Sequence, residues 1–137
     1  MAGFVFNVGA DGLSSGGSIN WASDTIKVRP ITTAAGTPSK DASVLTGIGT
    51  TGYDVTVASK TKTRNDTLDQ IIYSFANFSF ASVLSGVGEI NRAVIFKSVT
   101  NDADSVPIAV VDITPTTPNG ANINVTVSAS GAFASQQ

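Results

Sequence analysis

The side chains best suited to metal or acid–base chemistry in this chain are aspartates near predicted turns. Asn101, Asp102 and Asp104 fall in one polar loop. With Asp54 or Asp112 nearby, they could offer a set of oxygen ligands to Ca²⁺. The spacing matches no EF-hand loop, and Asn and Asp at a hairpin tip are typical of turn chemistry. The sequence therefore predicts turn residues here and no metal site.

Other catalytic constellations lack their components. A glycosidase pair would need two carboxylates about 5–10 Å apart, and nothing in the sequence pairs Asp112 with Glu89, the only glutamate. The chain has no cysteine and no histidine, which excludes thiolate nucleophiles, Ser-His-Asp triads and His-ligated zinc. We therefore expect no catalytic residues and no cofactor, and we predict that the protein is not an enzyme.

Segment 59–65 alternates basic residues with small polar ones. Lys60, Lys62 and Arg64 would share one face of a strand and hold three of the chain's eight positive charges. One interpretation is a solvated edge strand whose charges discourage pairing with another sheet. The other is a basic stripe that docks against an acidic protein surface. These three residues are therefore one candidate interface.

The N-terminal residues combine an apolar tip with a Gly/Ser-rich stretch. Phe4, Val5 and Phe6 lie in the apolar segment 2–8, and residues 9–18 contain too many glycines and serines to predict an ordered element. We interpret residues 1–18 as an arm with a linker, and residues 19–137 as one domain. The apolar tip either adds a strand to a neighbouring subunit or forms a strand of its own sheet.

Residues 92–114 predict the hairpin that positions the rest of the chain. Two runs rich in β-branched and aromatic residues, 92–99 and 106–114, flank a short Asn/Asp/Ser loop. Within each run the apolar residues are consecutive, which is typical of strands covered on both faces. We therefore place this hairpin at the centre of a two-layer structure, with Pro107 at a strand start or an unpaired edge.

Five other segments show strand periodicity or aromatic clustering, namely 26–32, 52–58, 59–65, 68–80 and 122–128. Pro30 interrupts the first of them. In 68–80, Tyr73 and Phe75 would face one side of the strand, and Phe78 and Phe80 the other. Together with the hairpin and segment 2–8, these runs predict an all-β fold. We expect an antiparallel β-sandwich, Ig-like or jelly-roll, of about seven to eight strands with at most one short helix.

The remaining segments predict little regular structure. Residues 41–47 fit one helical turn, with Thr37 or Ser39 as N-cap and Gly47 after its last residue. Residues 129–137 form a small-residue tail that should fray. Trp21, the only tryptophan, is best interpreted as a core residue, since indole mostly acts by burying area.

Composition disfavours two classes of partner. The net charge is −2 and only 13% of residues are charged, so there is no basic excess to bind phosphates. The apolar runs are far shorter than the roughly 20 residues that span a bilayer. The N-terminus lacks the basic and apolar regions of a secretory signal. We expect synthesis in the cytoplasm and neither nucleic acid nor membrane as a partner.

Several segments together form a pattern that extends over most of the chain. In the first half they are Ile19-Asn-Trp21, Asp24-Thr-Ile-Lys-Val28, Thr37-Pro-Ser-Lys-Asp41 and Val44-Leu-Thr-Gly-Ile48. In the second half they are Arg92-Ala-Val-Ile-Phe-Lys97, Pro107-Ile-Ala-Val-Val-Asp-Ile113 and Gly131-Ala-Phe133. This pattern resembles that of a group of small virion proteins of tailed bacteriophages. The chain departs from that group at Phe96, where tyrosine is usual, and at Pro30. The resemblance covers about residues 19–133 and leaves out the arm.

This resemblance implies a β-sandwich protein of the capsid decoration (cement) type. Such a protein binds the major capsid protein on the outer surface of the virion, stabilises the shell and associates with itself, here expected as a trimer. Two other functions stay open. One is a neck, tail or head-fibre component. The other is a host- or carbohydrate-binding module, which would expose aromatic rings, with Trp21, Tyr53 and Tyr73 as the candidates.

Overall fold

The computed structural model describes residues 2–136 as ten strands, one α-helix and two 3₁₀ turns. In chain order, the regular elements are β1 (Gly3–Val5), α1 (Asn7–Leu13), β2 (Ile26–Thr32), β3 (Val55–Thr56), β4 (Thr61–Asn65), β5 (Gln70–Ser74), β6 (Phe78–Phe80), β7 (Ile90–Lys97), β8 (Val106–Thr116), β9 (Ile123–Val125) and β10 (Phe133–Gln136). The 3₁₀ turns are Thr33–Ala35 and Ser85–Val87. The strands pair antiparallel, which confirms the predicted all-β class.

The predicted hairpin, β7 with β8, lies inside a five-stranded sheet of order β1-β8-β7-β2-β3. The side chains of residues 93–96 and 108–111 are at most 1% exposed, so both faces of the hairpin are covered, as predicted. Pro107 is the second residue of β8 and stands opposite Phe96, next to a register shift. Its missing N–H therefore falls at the irregular start of the strand.

Strand β2 runs through Pro30 and does not stop there. Pro30 stands opposite Ala93 of β7, whereas β3 pairs only with Lys27 and Val28. Beyond the end of β3, the Pro30 carbonyl oxygen accepts a hydrogen bond from the N–H of Thr50. The prediction that Pro30 interrupts the strand is wrong, because no strand on that side requires its missing N–H.

Each face of the five-stranded sheet packs into its own hydrophobic cluster. The smaller cluster consists of Phe6, Ile31, Leu45, Ile48, Val94, Phe96 and Val110. In this cluster, the N-terminal segment and the loop 37–50 pack over the face of the sheet. The larger cluster joins the opposite face to a three-stranded sheet, β10-β5-β4, and a two-stranded sheet, β6-β9. The strands thus form two layers around the larger cluster, in keeping with a sandwich.

The aromatic segment 68–80 forms two strands in different sheets. Between β5 and β6, the side-chain oxygen of Asn77 accepts a hydrogen bond from the N–H of Val127 at 2.8 Å. The break changes the direction of the side chains, so Tyr73, Phe75 and Phe78 are all buried in the larger cluster. The prediction of two opposite aromatic faces is wrong, because it assumed one uninterrupted strand.

Strand β10 lies in the segment predicted to fray. Phe133 stacks on Tyr73 with 4.9 Å between ring centroids and meets Trp21 edge-on at 5.5 Å. The strand pairs antiparallel with β5 over four residue pairs. The prediction of a frayed tail is therefore wrong for residues 133–136, because one aromatic side chain among small residues anchors the strand in the core. Gln137, the last residue of that predicted tail, lies outside the described residues.

The segment predicted as a linker, 9–18, contains most of the α-helix, which begins two residues earlier at Asn7. Gly9 and Gly12 of α1 are buried, and a Cβ atom on Gly9 would lie 2.4 Å from the carbonyl oxygen of Ile108 in β8. Gly9 allows close packing of α1 on β8, and Gly12 allows close packing of α1 on the side chain of Ile19. The prediction of an unordered segment is therefore wrong for residues 9–13. Residues 14–18 are exposed and connect this arm to the body of the fold.

The helical turn predicted at 41–47 is an irregular loop in the structure. The N–H of Leu45 donates to the carbonyl oxygens of Asp102 and Ser105 in the β7–β8 loop, each at 3.1 Å. Leu45 itself is fully buried in the smaller cluster. The helix prediction is wrong because these tertiary bonds and this burial outweigh a marginal local preference.

Replacement of Gly9 by alanine tests the close packing of α1. In a free helix or linker, Gly9→Ala would stabilise the chain through helix propensity. Against the backbone of Ile108 the added methyl group clashes, so we expect the free energy of unfolding to fall by about 1–3 kcal/mol. Urea denaturation measures it. Gly86→Ala is the control, since a Cβ atom there meets nothing within 4 Å, and it should change stability little.

Candidate functional site

Two of the aspartates considered as calcium ligands, Asp54 and Asp102, bind one guanidinium group. Arg29 of β2 is 4% exposed. Its Nε and Nη2 atoms donate to the Asp54 carboxylate at 2.8 and 3.0 Å, and Nη1 and Nη2 donate to Asp102 at 2.9 and 3.0 Å. Nη1 also donates to the carbonyl oxygen of Ile48 at 3.2 Å. The ring of Phe96 lies beneath, 5.2 Å from the guanidinium carbon.

Arg29 and Asp102 hold each other in the ionised state. The hydrogen bond to Asp54 raises the pKa of Arg29 above its ordinary value despite desolvation, and the bond to Asp102 adds to this effect. In return, the hydrogen bond from Arg29 lowers the pKa of Asp102. A buried charge is tolerated only when it is paired and hydrogen-bonded. Asp54 and Asp102 do meet, but they stabilise the fold by compensating Arg29.

The other candidate acids have separate partners. Asp112 forms an ion pair with Arg92 across the β7–β8 hairpin at 3.5 Å, and Glu89 accepts a hydrogen bond from a threonine hydroxyl at 2.7 Å. Asn101 accepts the backbone N–H of Asp104 within the loop, as turn chemistry predicts. Among the residues that the structure describes, no three or more acidic side chains are grouped so that they could hold a metal ion.

The basic side chains of segment 59–65 lie at the edge of the three-stranded sheet, on β4 and just before it. Lys62 is exposed, and its Nζ atom is 6.0 Å from the centre of the Tyr73 ring. Arg64 is exposed and pairs with an aspartate of the following turn. Lys60 is half-buried and donates to the backbone carbonyl oxygen of Asp24. An edge position fits both the guarding and the docking interpretation.

A cleft of about 690 Å³ opens between β4 and the connection from α1 to β2. One wall is the end of α1 with the exposed segment 14–17, and the other comes from β4, β5 and β10. The lining residues are Ala10, Leu13, Ser14, Ser15, Gly16, Gly17, Ile19, Asn20, Trp21, Ala22, Lys60, Lys62, Ile71, Tyr73 and Ser135. Two of them are lysines and none is acidic. We take this cleft as the candidate functional site.

Trp21 and Tyr73 form the floor of the cleft. The indole Nε1 atom of Trp21 donates to the carbonyl oxygen of Thr61 at 3.0 Å, and the two rings meet edge-on at 5.2 Å. Trp21 is 4% and Tyr73 1% exposed, and burial raises the pKa of Tyr73. The interpretation of Trp21 as a core residue is confirmed. Tyr53 is half-buried, so these rings do not form the open aromatic surface of a carbohydrate platform.

Phe4, Val5 and Phe6 belong to the chain's own sheet in this structure. β1 pairs with β8, with Val5 opposite Ala109. Phe6 is fully buried in the smaller cluster, and Phe4 and Val5 are half-buried. The structure therefore contains the strand that the sequence analysis left as one of two alternatives. Addition of this segment to a neighbouring subunit stays a prediction.

Sequence reasoning missed Arg29 and the cleft. Ile26 and Val28 alternate with Lys27 and Arg29, a pattern that predicts a half-buried strand with Arg29 on its solvent face. In the structure, residues 28–31 are all buried. The available signal was Ile31, because an apolar residue directly after Pro30 ends the alternation and indicates that β2 is covered on both faces. The cleft had no local signal, because its walls come from segments far apart in the chain.

Comparisons with known proteins identify no relative of this chain. A scan against protein-family models finds no match. Searches of curated proteins and of solved structures find no match either. Within the described residues, no helix has the length and apolar character needed to cross a membrane.

Asp102→Asn tests the charged bridge that Arg29 forms with Asp54 and Asp102. The substitution removes one ionised partner of Arg29 and preserves side-chain size. The Asp102 side chain is 36% exposed, so we expect a modest loss of about 1–2 kcal/mol in the free energy of unfolding at neutral pH. Chemical denaturation measures it. Asp104→Asn in the same loop is the control, and this exposed site should change stability by less than about 0.5 kcal/mol.

The pH dependence of that loss has a definite sign. The pKa of Asp102 in the folded protein lies below its ordinary value because Arg29 donates to it. Its ionised form therefore stabilises the fold above the ordinary pKa, and this contribution disappears as the pH falls through the folded-state pKa. The stability difference between wild type and Asp102→Asn should shrink below about pH 4. A difference that stays constant on acidification would contradict the charged bridge.

Proposed function

We propose that this protein is a structural virion protein of a tailed bacteriophage, a capsid decoration (cement) protein. In this role it binds the major capsid protein on the outer surface of the shell, stabilises the shell and assembles with itself as a trimer. Its function is binding, and its surfaces for partners are the N-terminal arm and the basic edge at β4. The absence of histidine and cysteine from the sequence supports a binding role over a catalytic one.

The observation that carries this proposal is the place of the resembling segments in the fold. Segments 92–97 and 107–113 fall in β7 and β8, and segment 24–28 ends in the first three residues of β2. These three strands are adjacent in the five-stranded sheet. Segment 37–48 supplies Leu45 and Ile48 to the cluster on one face of that sheet. The resemblance therefore involves the framework of the central sheet and one of its covers, which are the parts of a chain that determine its fold.

The physical character of the molecule also supports a shell-stabilising role. Both faces of the central sheet are packed, which favours a rigid body. The net charge of −2 favours solubility and makes nucleic acid an unfavourable partner. A protein of this kind adds stability to a shell by mass action, because it binds the assembled capsid and not the separated subunits.

Cryo-electron microscopy of intact particles that contain this chain tests the proposal. We expect its density as separate trimers distributed over the outer surface of the shell, each in contact with the major capsid protein. Particles stripped of the protein should lose their shell at a lower temperature, and the purified protein should restore the original value. A single ring of density at the neck or tail would instead assign the protein to that part of the virion.

We propose that copies of the protein contact one another through the arm, residues 2–13. The arm docks on β8 through the β1 pairing, the buried Phe6 and the close approach of Gly9. The exposed segment 14–18 is the stretch of chain that connects the arm covalently to the body of the fold. Exchange of arms between copies would keep every one of these contacts, and a cyclic exchange closes a ring of copies.

Engineered cysteines distinguish an exchanged arm from a docked one. The N–H of Phe6 donates to Ile108 and the N–H of Asp112 donates to Ala2, so Val5 and Ala109 form a non-hydrogen-bonded pair, the spacing that suits a disulfide. In Val5→Cys/Ala109→Cys, exchange predicts disulfide-linked oligomers on a non-reducing gel. Mixed single variants should cross-link too. Exclusively intramolecular disulfides in the assembled protein would reject arm exchange and leave the virion role to the imaging experiment.

A further inference from the structure

We propose that the cleft beside β4 is a docking site for an extended acidic segment of a partner protein, whose carboxylates bind Lys60 and Lys62. The inference goes beyond a role in the virion, because it names the chemistry of the segment and does not depend on which protein carries it. It rests on the shape of the cleft, the charges of its lining and the positions of the two lysines.

The shape of the cleft suits part of a peptide. Its volume of about 690 Å³ falls within the range of about 300–1,000 Å³ that is typical of binding sites. Leu13 and Ile71 supply apolar wall, and the exposed segment 14–17 supplies polar backbone and Ser15. β4 is the last strand of its sheet within the described residues, so an extended segment has an edge to follow.

The charge of the lining selects an anionic partner. The chain as a whole carries a net charge of −2, yet the described residues that line the cleft include two lysines and no acidic residue. Four basic side chains outside the cleft form ion pairs with carboxylates of the chain, namely Arg29, Arg64, Arg92 and Lys97. Within the described part of the chain, no ion pair joins a carboxylate to Lys60 or Lys62. The Asp24 carboxylate interacts with the charge of Lys60, although its ion pair is with Lys97. The charge of Lys62 is therefore the more available of the two to a partner.

Lys60 is held in place before a partner arrives. It donates to the backbone carbonyl oxygen of Asp24, and the Asp24 carboxylate lies 3.2 Å from the Nζ atom of Lys97. A side chain that is already positioned loses less conformational entropy on binding. Lys62 is exposed, and its Nζ atom lies 6.0 Å from the centre of the Tyr73 ring, at the outer limit of a cation–π contact. Because the two lysines are two residues apart, they match carboxylates at alternate positions of an extended segment.

The same features favour a peptide over other anions. A single carboxylate or phosphate would leave most of the cleft unfilled, including its apolar wall. A long polyanion such as a nucleic acid would meet the net negative charge of the rest of the molecule. A short acidic segment with intervening apolar or small residues can bind both lysines through its carboxylates. Its other residues can contact the apolar wall and the polar backbone of segment 14–17.

Calorimetric titration of the full chain with a synthetic peptide tests this site. The peptide alternates glutamate with threonine, and its partner peptide has glutamine in place of each glutamate. We expect saturable binding of the glutamate peptide, weakened by salt, with a change in the emission of Trp21, the only tryptophan and part of the cleft floor. Equal binding of the glutamine peptide would overturn the proposal, as would no binding of either.

Matched charge variants locate the binding. Lys62→Gln and Lys60→Gln should each weaken binding of the glutamate peptide about three- to fivefold at low salt. Lys40→Gln removes an exposed lysine that does not line the cleft, and it should have no effect. Equal effects of all three variants would indicate attraction by net charge alone and overturn the site. Tighter binding of a short oligonucleotide or of vesicles with anionic lipids would overturn the assignment to a protein partner.

The outcome for the cleft can be separated from the outcome for the virion role. A chain that decorates shells normally and ignores the acidic peptide would reject the cleft alone. A chain that binds the peptide through Lys60 and Lys62 but has no place on the particle would reject the virion role alone.

Discussion

The two strands of the central hairpin carry apolar side chains on both faces. Other segments of the chain must therefore pack over each face, and this constraint determines where they lie. Ala93 and Ile95 pack into the larger cluster, whereas Val94 and Phe96 pack into the smaller one. A sheet buried on one side only would leave half of these side chains in water, at a cost of roughly 1.5–3 kcal/mol for each large one. The aromatic strands provide one cover. The arm and the loop 37–50 provide the other.

The ion pairs and hydrogen bonds of Arg29 fix the position of loop 37–50, which packs over the smaller cluster. Loop 37–50 has little regular structure of its own, so it needs fixed attachment points over the sheet. Arg29 connects Ile48 of that loop to Asp54 and to Asp102 of the hairpin loop, while Leu45 is bonded to the hairpin loop through its N–H. Apolar burial gives little directional preference. Bidentate hydrogen bonds fix the orientation of the guanidinium, and so they define where the loop lies.

The local sequence pattern was sufficient to predict the hairpin. It was insufficient to predict the segments that pack over the two faces of the hairpin. Consecutive apolar residues at 93–96 have one physical meaning in a strand, and the structure bears it out. Glycine is ambiguous in this respect, since Gly9 could indicate flexibility or close packing, and only the backbone of Ile108 decides between them. Phe133 is ambiguous for another reason, because its partner Tyr73 lies far away in the sequence. The lysines of segment 59–65 were visible as a basic stripe, but the cleft beside them was not.

The arm and the cleft share one structural element, and this links the two proposed binding activities. Ala10 and Leu13 at the end of α1, together with segment 14–17, form one wall of the cleft, while Lys60 and Lys62 come from the body of the fold. When the arm docks on its own β8, the cleft is built by a single copy. If arms are exchanged, the wall comes from one copy and the lysines from another, so that assembly completes the site. An acidic segment bound there would contact both copies and would stabilise the exchanged state to the extent that it binds that state more tightly.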